Sequence, residues 1–132
     1  MNTINNINND IDVLINNCIT YESHMEIALV IYTLLKDKYR YIGDNKWEYY
    51  NDNEWKKDKN NINLINDIKA TVCNIFITKS IEWNNKYIIE EDSNIKYIYK
   101  RRYDSLIDII VNLKNKKYIN NIIKECKQFF TI

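Results

Sequence analysis

The chain has few of the residues that interrupt regular backbone structure. Its 132 residues contain one glycine, Gly43, and no proline. Sandwiches and barrels need a turn about every ten residues, and glycine and proline form many of those turns. This scarcity argues against an all-β protein and favours long helices that end at Asn, Asp or Ser.

Residues that commonly carry enzyme chemistry are also scarce. His24 is the only histidine, and a single glycine cannot form a glycine-rich phosphate-binding loop. The acidic runs Glu90–Asp92 and Asp52–Glu54 fall in predicted polar loops, where carboxylates usually face water instead of converging in a cleft. We therefore predict a protein that is not an enzyme, with no catalytic residues, no cofactor and no metal.

Cysteine usage and hydropathy point to the inside of a cell. No apolar run approaches the roughly 18 residues of a membrane-spanning helix, and no signal peptide is recognisable. Cys18, Cys73 and Cys126 form no Cys-x-x-Cys pair and leave one thiol unpaired in any disulfide scheme. Reduced, buried thiols are typical of intracellular proteins. We expect an intracellular protein without a membrane partner.

Charge and length set two further limits. Nineteen basic residues against 18 acidic ones give a net charge of +1, whereas nucleic-acid-binding domains usually carry a clear basic excess. A length of 132 residues is enough for one core and short for two. We expect a single domain over residues 1–132, and its charge balance alone does not require DNA or RNA.

Residues 1–20 carry a narrow apolar stripe. Apolar side chains recur at spacings of three and four, which predicts an amphipathic helix. We expect this helix to pack on the core, and the alternative is that a second chain covers the stripe. The stripe consists of Ile4, Ile7, Ile11, Leu14 and Cys18.

Local signals predict the next two helices. Ser23 and Glu26 fit a capping box, in which the hydroxyl and the carboxylate bond backbone N–H groups at the start of a helix. A further helix should begin near Ile62. It either continues past Trp83 or bends at the two asparagines that follow.

The C-terminal third is also predicted to be helical. Apolar periodicity covers residues 103–113 and 118–130, whereas Glu90–Asn94 is polar enough for a loop. Residues 95–102 contain alternating tyrosines. They either form a strand or, as we favour, open the helix that follows.

Aromatic residues interrupt the helical pattern between Tyr39 and Lys57. The runs 39–42, 46–50 and 54–56 predict three short strands joined by GDN and NDN turns, with a solvated break at 56–61. The predicted fold is therefore α+β and predominantly α, with five or six helices packed around a small antiparallel β-meander. We assign structural roles to the aromatics Trp47, Tyr50 and Trp55, and expect both tryptophans in the core.

Three short basic clusters have two interpretations. They lie at 56–59, 100–102 and 114–117, near the predicted ends of elements, where cations favour solubility and complement helix dipoles. Alternatively they contact phosphates, and the tyrosines interleaved with the second cluster would then stack on single-stranded bases. The candidate nucleic-acid contacts are Lys100, Arg101, Arg102, Lys116 and Lys117.

The order of elements resembles a known viral domain. The segments LLKDKYRYIGDNKWEYYNDNEWKKD and LIDIIVNLKNKKYINNIIKECKQFF are similar to the helicase-associated domain of primase–helicases from poxviruses, other large DNA viruses and phages. In that family the domain precedes a superfamily III helicase core. The resemblance covers residues 23–130. The matching residues are Ala28, Lys36, Asp37, Lys38, Tyr39, Trp47, Tyr50, Trp55, Asp58, Leu113, Tyr118, Ile122, Glu125 and Cys126, with Phe129 or Phe130.

The resemblance implies a module of a replication protein. It implies DNA, single-stranded in our reading, and helicase or primase subunits as partners, with a homo-oligomer as a further option, in the host cytoplasm where such viruses replicate. The family's Walker and primase motifs have no matching positions here, so ATP hydrolysis and primer synthesis are not implied. The alternative is a stand-alone structural or protein-interaction domain that binds no nucleic acid.

Overall fold

A computed structural model describes residues 3–132 of the chain, with side chains from Asp10 onward. Six α-helices and one three-stranded sheet make up this part of the chain, so the predicted α-rich α+β class is confirmed. None of the described helices combines the length and the apolar character that crossing a membrane requires. The elements are α1 (Thr3–Tyr21), α2 (His24–Leu35), β1 (Tyr39–Tyr41), β2 (Trp47–Asn51), β3 (Glu54–Lys57), α3 (Ile62–Asp67), α4 (Cys73–Ile89), α5 (Ser93–Asn112) and α6 (Lys116–Phe130).

Helix α2 is the centre of the core. It packs against both α1 and α6, and buries consecutive residues such as Val30 and Ile31 because neighbouring helices cover it on more than one side. One half of the predicted capping box is confirmed, since the Ser23 hydroxyl accepts a hydrogen bond from the Glu26 backbone N–H; among the described residues the Glu26 carboxylate makes no return bond to the Ser23 N–H.

The apolar stripe of α1 packs within the chain. Ile11 and Cys18 are buried in the core and Leu14 is half-buried against it. Ile4 and Ile7 lie outside the described side chains. The described part of the stripe therefore contributes to the same core as the other helices.

The sheet is an antiparallel meander with strand order β1-β2-β3. Successive side chains of a strand point to opposite faces, and pairing of Tyr39 with Tyr49 places these tyrosines on the inner face with Trp47. Trp47 is only 1% exposed, as expected for a core aromatic. The Tyr39 hydroxyl donates a hydrogen bond to the Asp67 carboxylate at the end of α3, which ties the sheet to that helix.

Strand parity also corrects one prediction. Tyr50 and Trp55 pair across β2 and β3 on the outer face, so Trp55 lies half-buried outside the core and Tyr50 is 42% exposed. Their rings pack against each other with centroids 5.3 Å apart. The Arg40 guanidinium covers the Trp55 ring at 4.3 Å. The expectation of both tryptophans in the core is thus right for Trp47 and wrong for Trp55.

The predicted solvated break at 56–61 is wrong at one residue. Asp58 is 3% exposed, and its carboxylate accepts hydrogen bonds from the backbone N–H groups of Asn63 and Leu64 at 2.9 and 3.0 Å. These donors belong to the first turn of α3, whose N–H groups have no partner within the helix. The Asp58 carboxylate therefore caps the first turn of α3 from four residues before Ile62, where the helix begins.

A π-turn over Ile68–Val72 joins α3 to α4 in one continuous rod. From Leu64 to Ser80, every fourth residue of this rod is buried. In an α-helix, a residue four positions along lies about 40° further around the helix axis, so these side chains would gradually leave the core. The wider π-turn reverses part of that drift, so the buried residues stay on one side of the rod, and the π-turn itself packs against α2. The rod runs to Ile89 without a break, so of the two predicted paths the helix continues past Trp83.

Helices α4 and α5 form an antiparallel hairpin that extends beyond the core. No residue from Ile81 to Ser105 is buried, whereas Phe76 and Leu106, at the base of the hairpin, are completely buried. Residues 95–102 lie within α5, so the helical alternative for this segment is confirmed. The part of the hairpin from Ile81 to Ser105, more than half of its length, is therefore accessible to a ligand or partner.

Candidate nucleic-acid interface

The hairpin carries the basic cluster predicted at 100–102, and its three cations have different surroundings. Lys100 donates to the Asp104 carboxylate at 2.7 Å, one turn further along α5. The Arg101 guanidinium donates to the Tyr97 hydroxyl at 3.4 Å. These contacts raise the pKa of both Lys100 and Arg101, so both stay charged. Asp104 partly neutralises Lys100, and the uncompensated positive charge lies at the two arginines.

Trp83 is the centre of a cation–aromatic group on the hairpin. The Arg102 guanidinium lies 5.0 Å from the Trp83 ring centroid and the Lys86 ammonium lies 4.4 Å from it. The Tyr99 ring packs beside it, with centroids 5.6 Å apart. Cations within about 6 Å of an aromatic face are attracted to it. This group, Trp83, Lys86, Tyr99 and Arg102, is called the Trp83 cluster below.

Sequence reasoning missed Trp83 and Lys86 as site residues. A detectable signal was present, because residues three apart in a helix lie on one face, and Trp83 and Lys86 have that spacing. The pairing of that face with Arg102 depends on the helical hairpin. Only the antiparallel packing of α4 against α5 brings the two segments together.

Two open grooves border the Trp83 cluster where α1 crosses the hairpin. One has a volume of about 530 Å³ and is lined by Tyr97, Arg101 and Arg102 together with the end of α1. The other, of about 180 Å³, contains Trp83 and Lys86. Cationic and aromatic side chains thus line both sides of the α1 crossing.

The larger groove has two arginines against one carboxylate, whereas the smaller groove contains two carboxylates and two lysines. In the smaller groove Asp12 and Glu82 are both paired with Lys79. Within the described part of the chain no carboxylate is ion-paired with Lys86 or Arg102. Glu22 is the one acidic residue that lines the larger groove. The Trp83 cluster is therefore free to bind an anion.

The structure does not bring the second candidate pair to this surface. Lys116 and Lys117 are exposed in the first turn of α6, past the far end of α5. The ten residues from Arg102 to Asn112 rise by about 15 Å along the helix. The five candidate contacts therefore form two separate patches.

Outside these grooves, His24 lines a pocket of about 370 Å³ together with Glu22, Ser105 and Asp108. His24 is exposed, and its ring packs edge-on against Tyr118 at 5.2 Å. Among the described residues no group of three or more His, Cys, Asp or Glu side chains is placed to hold a metal ion. Asp92 caps α5 by accepting hydrogen bonds from the backbone N–H groups of Asn94 and Ile95.

All three cysteines are buried and free, in agreement with the predicted reduced thiols. Burial raises the pKa of Cys18 to about 12 and that of Cys126 to about 12, chiefly because a thiolate would lose its hydration there. Burial also raises the pKa of Cys73. Thiols of this kind are poor nucleophiles at neutral pH.

Comparison with known proteins adds no identification: no protein-family model matches the chain, and no curated protein matches it.

Proposed function

We propose that this chain is a non-catalytic nucleic-acid-binding module that guides a single strand along the α4–α5 hairpin. The observation that carries the proposal is the Trp83 cluster, in which two cations that form no ion pair with a described carboxylate flank a partly accessible indole. Single-strand-binding surfaces combine aromatic platforms for the bases with cations for the backbone. Both components are present here within one turn of each helix.

The path of the strand follows from the accessible groups. Tyr97 is 61% exposed beside Arg101 at the rim of the larger groove. On this path bases stack on the exposed ring of Tyr97, and phosphates lie against Arg101, Arg102 and Lys86, of which the last two are held by the Trp83 ring. Lys116 and Lys117 are not part of this path, because they lie on the other patch.

The biological setting comes from the sequence resemblance. An accessory domain of a viral DNA primase–helicase would guide DNA toward the motor and contact neighbouring subunits, at a replication site in the host cytoplasm. A guide needs to hold a moving strand only weakly. A small binding surface that projects from the core suits this role. On this proposal ATP hydrolysis and primer synthesis belong to other domains.

Fluorescence anisotropy with a labelled oligothymidylate, measured across a salt series, tests the strand path. We expect Arg101→Gln/Arg102→Gln to weaken binding by about tenfold, and to reduce the log–log salt slope by about 1.4 because two phosphate contacts are lost. Trp83→Leu should weaken binding with little change in the slope, since it removes the ring that holds Arg102 and Lys86 but no charge.

The matched control is Lys116→Gln/Lys117→Gln, which removes the same charge from exposed positions outside the path. It should keep nearly the wild-type affinity at moderate salt. Equal losses in the two double variants would mean that binding follows net charge alone, and the hairpin path would be wrong. No binding by the wild-type chain at low salt would also refute it.

One observation favours a second candidate, a protein-interaction domain. Several apolar side chains near the end of the hairpin are exposed, among them Ile88 at 61% and Ile89 at 80%. Clustered exposed apolar residues often mark protein contacts. If this surface mediates assembly, sedimentation should show concentration-dependent association that Ile89→Asp abolishes, with no dependence on oligothymidylate.

A further inference from the structure

A separate cavity lies where the β1–β2 turn and the turn before α3 meet α6. Its volume is about 330 Å³, which is within the range of small-ligand sites. None of its lining residues belongs to the α4–α5 hairpin. They are Asn45, Trp47, Asn61, Asn120, Ile123, Lys124 and Lys127.

The polar lining of this cavity is rich in donors. Residues with three side-chain amides and two ammonium groups line it, and none of the described lining residues carries a carboxylate. Asp58, a buried acid three residues before Asn61, does not line the cavity. Its oxygens already accept hydrogen bonds from the first turn of α3. The cavity therefore combines positive charge with hydrogen-bond donors that an anion would use.

Contacts between the turn and α6 hold part of this lining in place. The Lys127 ammonium donates to the Asn45 side-chain oxygen at 2.6 Å and lies 5.3 Å from the Tyr41 ring centroid. Because the Asn45 oxygen is occupied, its amide nitrogen is the end left to donate to a ligand. The Asn45 backbone N–H also donates to the Tyr41 hydroxyl, at 3.0 Å. Lys127 thus fixes the turn to α6, and the Tyr41 hydroxyl fixes it to the end of β1.

Trp47 adds a buried side chain to this lining. It is 1% exposed, and among the described residues its indole Nε1 has no hydrogen-bond acceptor. Most buried polar groups in folded proteins have a partner. The indole N–H is therefore an unpaired donor on a residue that borders the cavity.

We propose that this cavity binds a phosphate group. Phosphate offers several acceptor oxygens and more than one negative charge, which matches two ammonium groups and three amides better than a single carboxylate does. The phosphate is carried either by a small molecule of about mononucleotide size or by a nucleic-acid backbone. The site does not depend on the hairpin path, so either proposal stands if the other fails.

The test uses the full chain and NMR titrations at constant ionic strength. The probes are inorganic phosphate, a nucleoside 5′-monophosphate and an oligothymidylate. We expect saturable shifts of the side-chain amide signals of Asn45, Asn61 and Asn120 and of the indole N–H signal of Trp47. A tighter response to the monophosphate assigns a small-molecule ligand, and a tighter response to the oligonucleotide assigns a strand phosphate.

Two variants and one control keep the test decisive. Lys124→Gln/Lys127→Gln should weaken phosphate binding by about tenfold or more, because two charge-assisted contacts are lost. Asn120→Asp keeps both lysines and adds a negative charge, so it should weaken binding even if the lysine variant disturbs the turn. Lys116→Gln/Lys117→Gln, on the same helix, should bind phosphate like the wild type. Shifts that do not saturate, or equal affinities in all four proteins, would overturn the proposal.

Discussion

At the scale of single residues, Asp58 shows how one buried carboxylate organises a chain turn. Its oxygens accept from the backbone N–H groups of Asn63 and Leu64 and from the Asn63 side-chain amide. The sequence around it, Lys-Asp-Lys-Asn-Asn, has the composition of a surface loop. Composition predicts that the segment as a whole is exposed. The burial of the Asp58 side chain depends instead on the position of the first turn of α3, which composition does not give.

Replacing Asp58 should therefore be costly. We expect Asp58→Ala to lower the free energy of unfolding by about 2–3 kcal/mol, because two N–H groups at the start of α3 lose their acceptor in a buried place. Urea unfolding followed by circular dichroism measures the change. Asp37→Ala is the control, since Asp37 is exposed and does not have a positive φ, so its replacement should cost little. A loss for Asp58→Ala no larger than for the control would remove its capping role.

The buried cysteines predict a pH dependence of stability. Thiols in the unfolded chain ionise near the usual pKa of 9.0, whereas in the folded protein the pKa of Cys18 and that of Cys126 are each raised to about 12. Between these values the unfolded state binds fewer protons, so stability falls as pH rises, by up to about 1.4 kcal/mol per pH unit for each thiol. Tyr39, whose pKa is also raised by burial, contributes in the same direction at higher pH.

The measurement is urea unfolding under reducing conditions at about pH 8 and about pH 10.5. Wild-type protein should lose stability between these conditions. Cys18→Ala/Cys126→Ala should be less stable than wild type at about pH 8, because of the cavities it creates, but should lose less on going to higher pH. A pH dependence unchanged in the double variant would show that other groups cause it.

At the scale of elements, the sequence predicted regular structure well where local patterns decide it. The cap at Ser23, the three strands and the helical start of α5 all follow from neighbouring residues. The two sides of the sheet were harder. Trp47 and Trp55 have similar sequence surroundings, and only strand register places one in the core and the other outside it.

The α4–α5 hairpin should be the least protected helical element that the structure describes. Its outer half, from Ile81 to Ser105, has no buried residue, and segments with few buried contacts open at low free energy. We expect faster amide hydrogen exchange over 81–102 than in α2. Equal protection of the two segments at low protein concentration would mean that something else covers the hairpin.

At the scale of the whole molecule, the fold class was predictable and the candidate site only partly so. The scarcity of glycine and proline and the apolar spacing are enough for an α-rich domain with one meander. The basic residues at 100–102 were identified from the chain, but Trp83 and Lys86 join them only through the packing of α4 on α5. The cavity beside Trp47 draws its residues from three distant segments, which no local pattern links.

The central claim is that a single strand binds along the hairpin, and an NMR titration of the full chain with an oligothymidylate tests it most directly. The account predicts saturable shifts of backbone amides over residues 83–102 and of the Trp83 indole N–H, which weaken at higher salt. Amides around Lys116 and Lys117 should move little. Saturable binding that shifts the start of α6 and leaves the hairpin unchanged would contradict the account, as would the absence of any shift at low salt.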